Sequence, residues 1–203
     1  MINNQLTFLQ PTAIYRELIL LEEIGRNPKV TQGILARKAG IVPAMVNNYI
    51  KSFVKEGHIT VDGNKTRNMT YSLTVEGERK KFNLLISYVK ETVSLYKNAK
   101  EGIKARLYEF KAEGIKRVVL YGAADTAELT YSAAEEIGLK VMGIVDSDIK
   151  KQGKEFLGKK IANPQMIHEI IPDAVVIASF GCQNQIYEEI KILEHAGIKV
   201  RKL

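Results

Sequence analysis

Thr31-Gln-Gly-Ile-Leu-Ala-Arg-Lys-Ala-Gly40 and the following Ile41-Val-Pro-Ala-Met-Val-Asn-Asn-Tyr-Ile-Lys-Ser-Phe-Val54 decide how the first half of the chain is read. The Thr31 hydroxyl can cap a short helix, Ile34, Leu35 and Ala39 give it one apolar face, and Gly40 supplies a left-handed residue to end it. Ile41 and Val42 then bridge to Pro43, whose missing N–H costs nothing in the first turn of a second helix. In that helix Val46, Tyr49, Ile50, Phe53 and Val54 recur at i, i+3, i+4, i+7 and i+8, so this stripe is expected to face a core. Ala44, Asn47, Asn48, Lys51 and Lys55 are left facing outward. Small, amide and cationic side chains on one face suit a major groove, where Asn can pair with adenine and Lys can reach guanine or phosphate. A plain solvated face is the alternative.

The segments on either side complete the pattern. His58-Ile-Thr-Val61 and Thr70-Tyr-Ser-Leu-Thr74 are rich in strand-forming residues, and Asp62-Gly63-Asn64 between them is turn chemistry leading to a cationic tip, Lys65-Thr66-Arg67. Such a wing would sit over phosphates or probe the minor groove. The candidate contacts to double-stranded DNA are Thr31, Gln32, Ala44, Asn47, Asn48, Lys51, Lys65 and Arg67. Upstream, Pro11 starts a helix through Ile24 with Ile14, Leu18 and Leu21 on one side, and the first ten residues carry only a small apolar cluster, Leu6, Phe8 and Leu9.

Charge is informative once it is divided. Residues 1 to 100 hold 15 Lys and Arg against 8 Asp and Glu, whereas residues 101 to 203 hold 15 against 15. The whole excess of +7 therefore lies with the helix-turn-helix, as expected where one half neutralises phosphates and the other binds something small. The single cysteine, Cys182, excludes an internal disulfide and a multi-cysteine zinc site, and the three histidines have no ligand-like spacing, so no metal is expected. Met1-Ile-Asn-Asn-Gln lacks the basic and apolar regions of a signal peptide, and no apolar run is long enough to span a bilayer, so a cytoplasmic protein is expected.

After the wing, Thr74 can cap a long helix to about Asn98, along which Phe82, Ile86, Val89, Val93 and Tyr96 recur at alternating spacings of four and three. That is a heptad seam, widened by Leu84, Leu85, Tyr88 and Leu95, and it points to a homodimer; packing on the second domain is the alternative. Ala99-Lys-Glu-Gly102 reads as a boundary, with a separate helix from Ile103 to Glu113. The expected organisation is 1–98 as a winged helix-turn-helix with its dimerisation helix, 99–114 as a linker helix, and 115–203 as a small parallel α/β domain.

In that second half Gly114-Ile-Lys-Arg-Val118, Gly138-Leu-Lys-Val141 and Gly197-Ile-Lys-Val200 repeat one theme, a helix ended by glycine and followed by an apolar strand. Strands over 117–121, 140–145, 173–179 and 198–202 alternate with helices, and Lys160-Ile161 can add a short edge strand. The fold class is α/β overall, a mainly helical winged helix-turn-helix followed by a Rossmann-like parallel sheet of expected order 3-2-1-4-5. Ligands bind such sheets beyond the carboxyl ends of the strands. There the sequence places Gly122, Ala123, Ala124, Asp125 and Thr126 after the first strand, Asp146 and Ser147 after the second, and Ser179, Phe180 and Gly181 after the fourth. Backbone N–H groups at a helix start can hold phosphate, and Asp146, 24 residues after Gly122, lies where ribose is held in dinucleotide sites. Against G-x-G-x-x-G/A, however, Ala124 replaces the second glycine and Asp125 adds a negative charge. A tight turn with no ligand is the alternative.

Two resemblances rest on these residues. The Ala36 to Gly40 turn, Gly57-His-Ile, and Tyr71-Ser-Leu-Thr-Val-Glu-Gly77 make residues 11 to 98 similar to a MarR-like winged-helix transcriptional regulator. Val118-Val-Leu-Tyr-Gly-Ala-Ala, Ile144-Val-Asp-Ser-Asp148 and Gly153-Lys-Glu-Phe-Leu-Gly158 make residues 115 to 203 resemble nucleotide-binding Rossmann domains of polysaccharide-biosynthesis, nucleotide-sugar epimerase-like and CoA-binding-like proteins. The second resemblance implies a nucleotide, nucleotide sugar or CoA-like ligand. The overall plan is also similar to redox-sensing repressors that join a winged helix to an NAD(H)-binding domain, but the altered glycine loop makes NAD(H) the less favoured ligand. The expected function is a DNA-binding regulator that senses such a ligand and is not an enzyme. The alternatives are a nucleotide-sugar-modifying enzyme with an accessory winged helix, and a protein adaptor. No catalytic residue is assigned. Tyr187 and Lys191 have epimerase-like spacing but lie on the last helix with no substrate domain, and Cys182 near a helix start reads more simply as a small structural residue.

Overall fold

The first helix, α1 (Ala13–Arg26), is capped by Thr12, whose hydroxyl accepts the Tyr15 N–H at 3.1 Å. These observations come from a computed structural model that describes residues 11–63 and 69–203. The chain divides into two compact units, one ending at Val93 and one running Ser94–Leu203. Each is considered by itself. The Lys65-Thr66-Arg67 tip and the Leu6, Phe8 and Leu9 cluster lie outside the described residues.

In the first unit α1 buries Leu18, Leu20, Leu21 and Ile24. Ile14 does not join them and is 62% exposed, since it lies one turn before the packed part of the helix begins. The helix also runs on past Gly25 to Arg26. Next, α2 (Gln32–Ala39) is capped by Thr31, whose hydroxyl accepts the Ile34 N–H, and ends at Gly40 with φ of 64°. Pro43 opens α3 (Pro43–Lys55), which buries Val46, Ile50 and Phe53. Val54, expected in that stripe, is 46% exposed because it faces a groove beside the wing. The wing is the antiparallel pair β1 (Ile59–Asp62) and β2 (Thr70–Leu73), with Ile59 opposite Leu73 and Asp62 opposite Thr70. Tyr71 of β2 is buried and its N–H donates to the Pro28 carbonyl, which ties the wing to the loop after α1.

The junction after the wing is tight. Thr74 donates its hydroxyl proton to the Gly57 carbonyl at 2.6 Å, accepts the Gly77 N–H at 3.0 Å, and donates its own N–H to the His58 carbonyl at 3.0 Å. Gly77 lies so close to His58 that a Cβ there would fall 1.9 Å from the His58 carbonyl oxygen. Thr74 thereby starts α4 (Val75–Ala112), a single helix of 38 residues. The boundary expected at Ala99-Lys-Glu-Gly102 does not interrupt it, and 103–113 is no separate helix. Glycine inside a helix costs only about 1 kcal/mol, and the next two turns bury Ile103, Leu107 and Phe110.

The second unit is built on a sheet of β3 (Arg117–Tyr121), β4 (Lys140–Val145), β5 (Glu155–Phe156), β6 (Lys159–Ala162), β7 (Ala174–Ile177) and β8 (Lys199–Lys202). The order is β5-β6-β4-β3-β7-β8. All pairings are parallel except β5 with β6, so the expected 3-2-1-4-5 order is present with one added antiparallel edge strand. Successive residues of β3 point to opposite faces. Val118 and Leu120 pack with Ile103, Leu107 and Phe110 of α4 and with Ala127, Ala133 and Ala134 of α5 (Asp125–Glu136). Val119 and Tyr121 pack with Ile167 of α6 (Ile167–Ile170) and with Ile186 and Ile190 of α7 (Gln183–Ile190). Lys100 and Lys104 reach Glu136 at 2.5 and 3.2 Å across the first of these layers.

One residue outside the strands aligns the sheet. Helix α6 ends on Ile171, a β-branched residue held at φ of 47°, and two residues later Asp173 accepts the backbone N–H groups of Lys116 and Arg117 and the Arg117 guanidinium. These contacts, the guanidinium first, hold the Asp173 carboxyl at about 2. Because this value lies below the ordinary Asp range, its contribution is complete above about pH 4 and is lost as pH falls through about 2. Asp173→Asn is expected to cost roughly 1.5–3 kcal/mol at neutral pH, the worth of hydrogen bonds to a charged group, and to flatten acid destabilisation between about pH 4 and pH 2. Urea unfolding across that range checks both effects, and an unchanged profile would contradict the assignment.

Candidate functional site

In the first unit the question is what α3 presents to solvent once its core face is filled. Ala44, Asn48 and Lys51 are exposed and Asn47 is half-buried, so the amide and cationic side chains stand clear of the core. Of the two candidate contacts on α2, Thr31 is exposed and already caps the helix, while Gln32 Nε2 donates to the Tyr71 hydroxyl at 3.4 Å. Gln32, Asn47, Lys51, Lys55, Val54, Val61 and Met69 line a groove of about 360 Å³ between α3 and the wing. Lys65 and Arg67 lie outside the described residues.

In the second unit a cleft of about 230 Å³ opens at the carboxyl ends of β3, β4 and β7. It brings together Gly122, Ala123, Ala124, Asp146, Ser147 and Ser179 from the residues singled out by sequence. Asp125, Thr126, Phe180 and Gly181 are not in its wall. Tyr121, Lys151, Cys182, Gln185, Ile186 and Glu189 are, of which only Tyr121 and Cys182 lie in the segments that the sequence brings to the strand ends, and none is among the site residues singled out there. The apolar spacing of α7 was the available signal for Ile186, while Lys151 comes from a turn that folds back after β4.

Asp146 is the electrostatic centre of this cleft. It is only 7% exposed, and its carboxylate accepts the Ala123 N–H at 2.8 Å, the Asp148 N–H at 2.9 Å and the Lys151 ammonium at 2.9 Å. Burial pushes the carboxyl up, but Lys151 and the two backbone N–H groups together outweigh it and hold the group below its ordinary value. The carboxylate expected to take a ribose hydroxyl is thus already occupied by its own loop. Gln152 adds a hydrogen bond to the Asp146 carbonyl at 2.9 Å. Beside it, burial raises the Tyr121 phenol, an effect that a hydrogen bond with Ser147 opposes. Gly122 has φ of 108°, and a Cβ there would stand 3.2 Å from Ser179 Cβ, so glycine is required by the turn itself. Ala124, by contrast, is exposed and extended at the cap of α5, where it accepts the Ala127 and Glu128 N–H groups through its carbonyl. The start of α5 has no side-chain cap, and within its first turn the Ala127 N–H is taken by the Ala124 carbonyl at 2.8 Å.

The remaining catalytic-looking pair is not assembled. Lys191 pairs with Glu188, while the Tyr187 ring lies beneath the Lys202 ammonium at 4.4 Å. Among the described residues no group of three His, Cys, Asp or Glu side chains could hold a metal ion, and no helix is long and apolar enough to cross a membrane.

Two family models match parts of the chain. Residues 15–60 match the winged helix-turn-helix DNA-binding family, and residues 114–202 match the family described as C2185-like, N-terminal. No curated protein matches. Among solved structures, the chain is similar to Staphylococcus aureus MarR in complex with salicylate and kanamycin, at 17% identity over 40% of this chain, with a TM-score of 0.35. It spans 55% of that protein's length. It is also similar to UDP-D-quinovosamine 4-dehydrogenase from Vibrio fischeri, at 22% identity over 44% of this chain and 78% of the other, with a TM-score of 0.37. A third likeness is to Sso10a-2, a DNA-binding protein from Sulfolobus solfataricus, at 21% identity over 49% and 95%, with a TM-score of 0.35.

The Asp146 arrangement has a direct test. Asp146→Ala leaves the Lys151 ammonium and two loop N–H groups without their acceptor, so a loss of roughly 1.5–3 kcal/mol is expected at pH 7. Denaturant unfolding measures it. A variant as stable as the wild type would show that Asp146 does not hold the loop.

Proposed function

We propose that this chain is a dimeric DNA-binding transcriptional regulator whose α/β unit senses a nucleotide-like ligand. The carrying observation is the outward face of α3. Its core positions are satisfied by Val46, Ile50 and Phe53, while Ala44, Asn47, Asn48 and Lys51 stand on the free side of a helix-turn-helix that matches a DNA-binding family. The concentration of positive charge in the first hundred residues supports the same reading, because phosphate neutralisation supplies most non-specific affinity. In this mechanism α3 reads base edges, the wing, with Lys65 and Arg67, meets the backbone, and ligand in the cleft changes the setting of the two DNA-reading heads. Coupling then requires that the ligand bind the two settings unequally.

The ligand reading rests on the cleft beyond the strand ends. The uncapped start of α5 directly follows the wall residues Ala123 and Ala124 and its N–H groups suit phosphate, while the Lys151 ammonium lies in the wall, paired with Asp146. Gly122, Ala123, Ala124, Asp125, Thr126, Asp146, Ser147, Ser179, Phe180 and Gly181 remain the proposed contacts from sequence. Ala124, standing where the second glycine of the dinucleotide loop would let a pyrophosphate approach the backbone, favours a mononucleotide, nucleotide sugar or CoA-like molecule over NAD(H).

Two measurements test the proposal. Asn47→Ala or Asn48→Ala is expected to reduce discrimination among DNA sites by roughly 1–3 kcal/mol, whereas Lys51→Ala weakens sites more uniformly and lowers the salt slope. Titrations at several salt concentrations read this, and a triple variant binding as tightly and selectively as wild type would end the DNA reading. In a thermal-shift panel, mononucleotides, nucleotide sugars or CoA are expected to raise the melting temperature more than NAD(H), by mass-action stabilisation of the native state. Larger stabilisation by NAD(H) would reverse the preference, and no shift with any nucleotide would remove the sensing role.

A further inference from the structure

Helix α4 carries two apolar surfaces, and among the described residues only one of them packs against another element of the first unit. Leu84 packs into the first core and Tyr88 meets Tyr15 of α1 with ring centroids 5.3 Å apart, so this side of the helix is occupied. On the opposite side Phe82, Ile86, Val89, Val93 and Tyr96 form a seam whose members are 38% to 61% exposed, with the Lys100 ammonium 5.9 Å from the Tyr96 ring. Their spacing keeps them on one line along the helix. Glu76, Arg79, Lys90 and Lys97 flank or extend that line, and none of them takes part in an ion pair among the described residues.

We infer that a second copy of this chain covers the seam, and that the two α4 helices run antiparallel with Ile86 of each opposite Val89 of the other. The inference rests on the dimeric reading above and adds its orientation and register. The argument is charge complementarity. With the helices antiparallel in this register, Phe82 faces Val93, Arg79 lies over the Tyr96 ring at each end of the seam, and Glu76 faces Lys97. The two-fold axis repeats each of these contacts. A parallel pair instead sets Arg79 against Arg79 of the second copy, and leaves Lys90 and Lys97 opposite Leu85 and Thr92 with no carboxylate in reach. Sliding the antiparallel pair by one heptad either buries Arg79 against Val89 or opposes Lys90 with Lys90. Only the stated register keeps every central layer apolar and every flanking charge paired or solvated.

The test uses the full chain with Cys182→Ser, so that the native thiol does not interfere. Sedimentation is expected to give a dimer for this parent and a monomer for Ile86→Glu, because an unpaired carboxylate cannot be buried in the seam. Chains carrying Phe82→Cys are expected to form disulfides with chains carrying Val93→Cys, and neither is expected to cross-link efficiently alone. Glu76→Lys is expected to raise the dissociation constant roughly three- to tenfold, and Lys97→Glu in the same chain to restore it. A monomeric parent would overturn both the dimer and its register. A dimer in which Val93→Cys cross-links to itself, and Phe82→Cys likewise, would overturn the antiparallel arrangement alone and leave the dimer standing.

Discussion

The first unit depends on one side chain, Thr74, which closes the wing, the turn after α3 and the start of α4 on a single oxygen. Its hydroxyl donates to Gly57 and accepts from Gly77, and the backbone of position 74 bonds His58. The arrangement is possible only because residue 77 has no side chain to collide with the His58 carbonyl. The two segments quoted for the winged-helix resemblance, Gly57-His-Ile and Tyr71 to Gly77, are the two halves of this junction. Since α3 ends at the same place, the exposed residues of that helix owe their presentation to a contact more than 20 residues away.

In the second unit, carboxylates rather than apolar contacts fix the loop geometry. Asp173 collects backbone N–H groups at the start of β3, and Asp146 does the same at its far end through Ala123. Each is countered by one cation, Arg117 or Lys151. Apolar burial assembles the layers without direction, whereas these bonds set where the strand begins and how the loop after it turns. The cleft thus has a polar frame in which the Asp146 carboxylate and the Lys151 ammonium are already engaged with each other and with the loop.

The helix-turn-helix was legible because its signals are local. Thr31, Gly40 and Pro43 each act on the residues beside them, and the structure uses all three as caps or first-turn residues. The strand order was legible for a related reason, since glycine-ended helices followed by apolar runs leave few ways to wind a parallel sheet. What sequence missed depended on distant partners. Gly102 looked like a break because the burial of Ile103, Leu107 and Phe110 against another layer cannot be seen in the window around it. Glu155-Phe156 was too short to show a strand pattern. In the cleft, Asp146 was visible as a carboxylate at a strand end, but its engagement by Lys151 and Ala123 was not, because both partners reach it through loop geometry. Ile14 and Val54 obeyed the helical period and still stayed outside the core, since period assigns a side of a helix and not the extent of whatever covers it.

Ile171 has a separate consequence. A β-branched residue in the left-handed region carries a conformational cost of order 1–2 kcal/mol, and here its side chain is 62% exposed and returns little by burial. The chain tolerates it at the step that delivers Pro172 and Asp173 to the start of the sheet. Position 171 is therefore an unused margin of stability: a residue at ease with positive φ would keep the same path at lower cost, and the fold evidently stands without it.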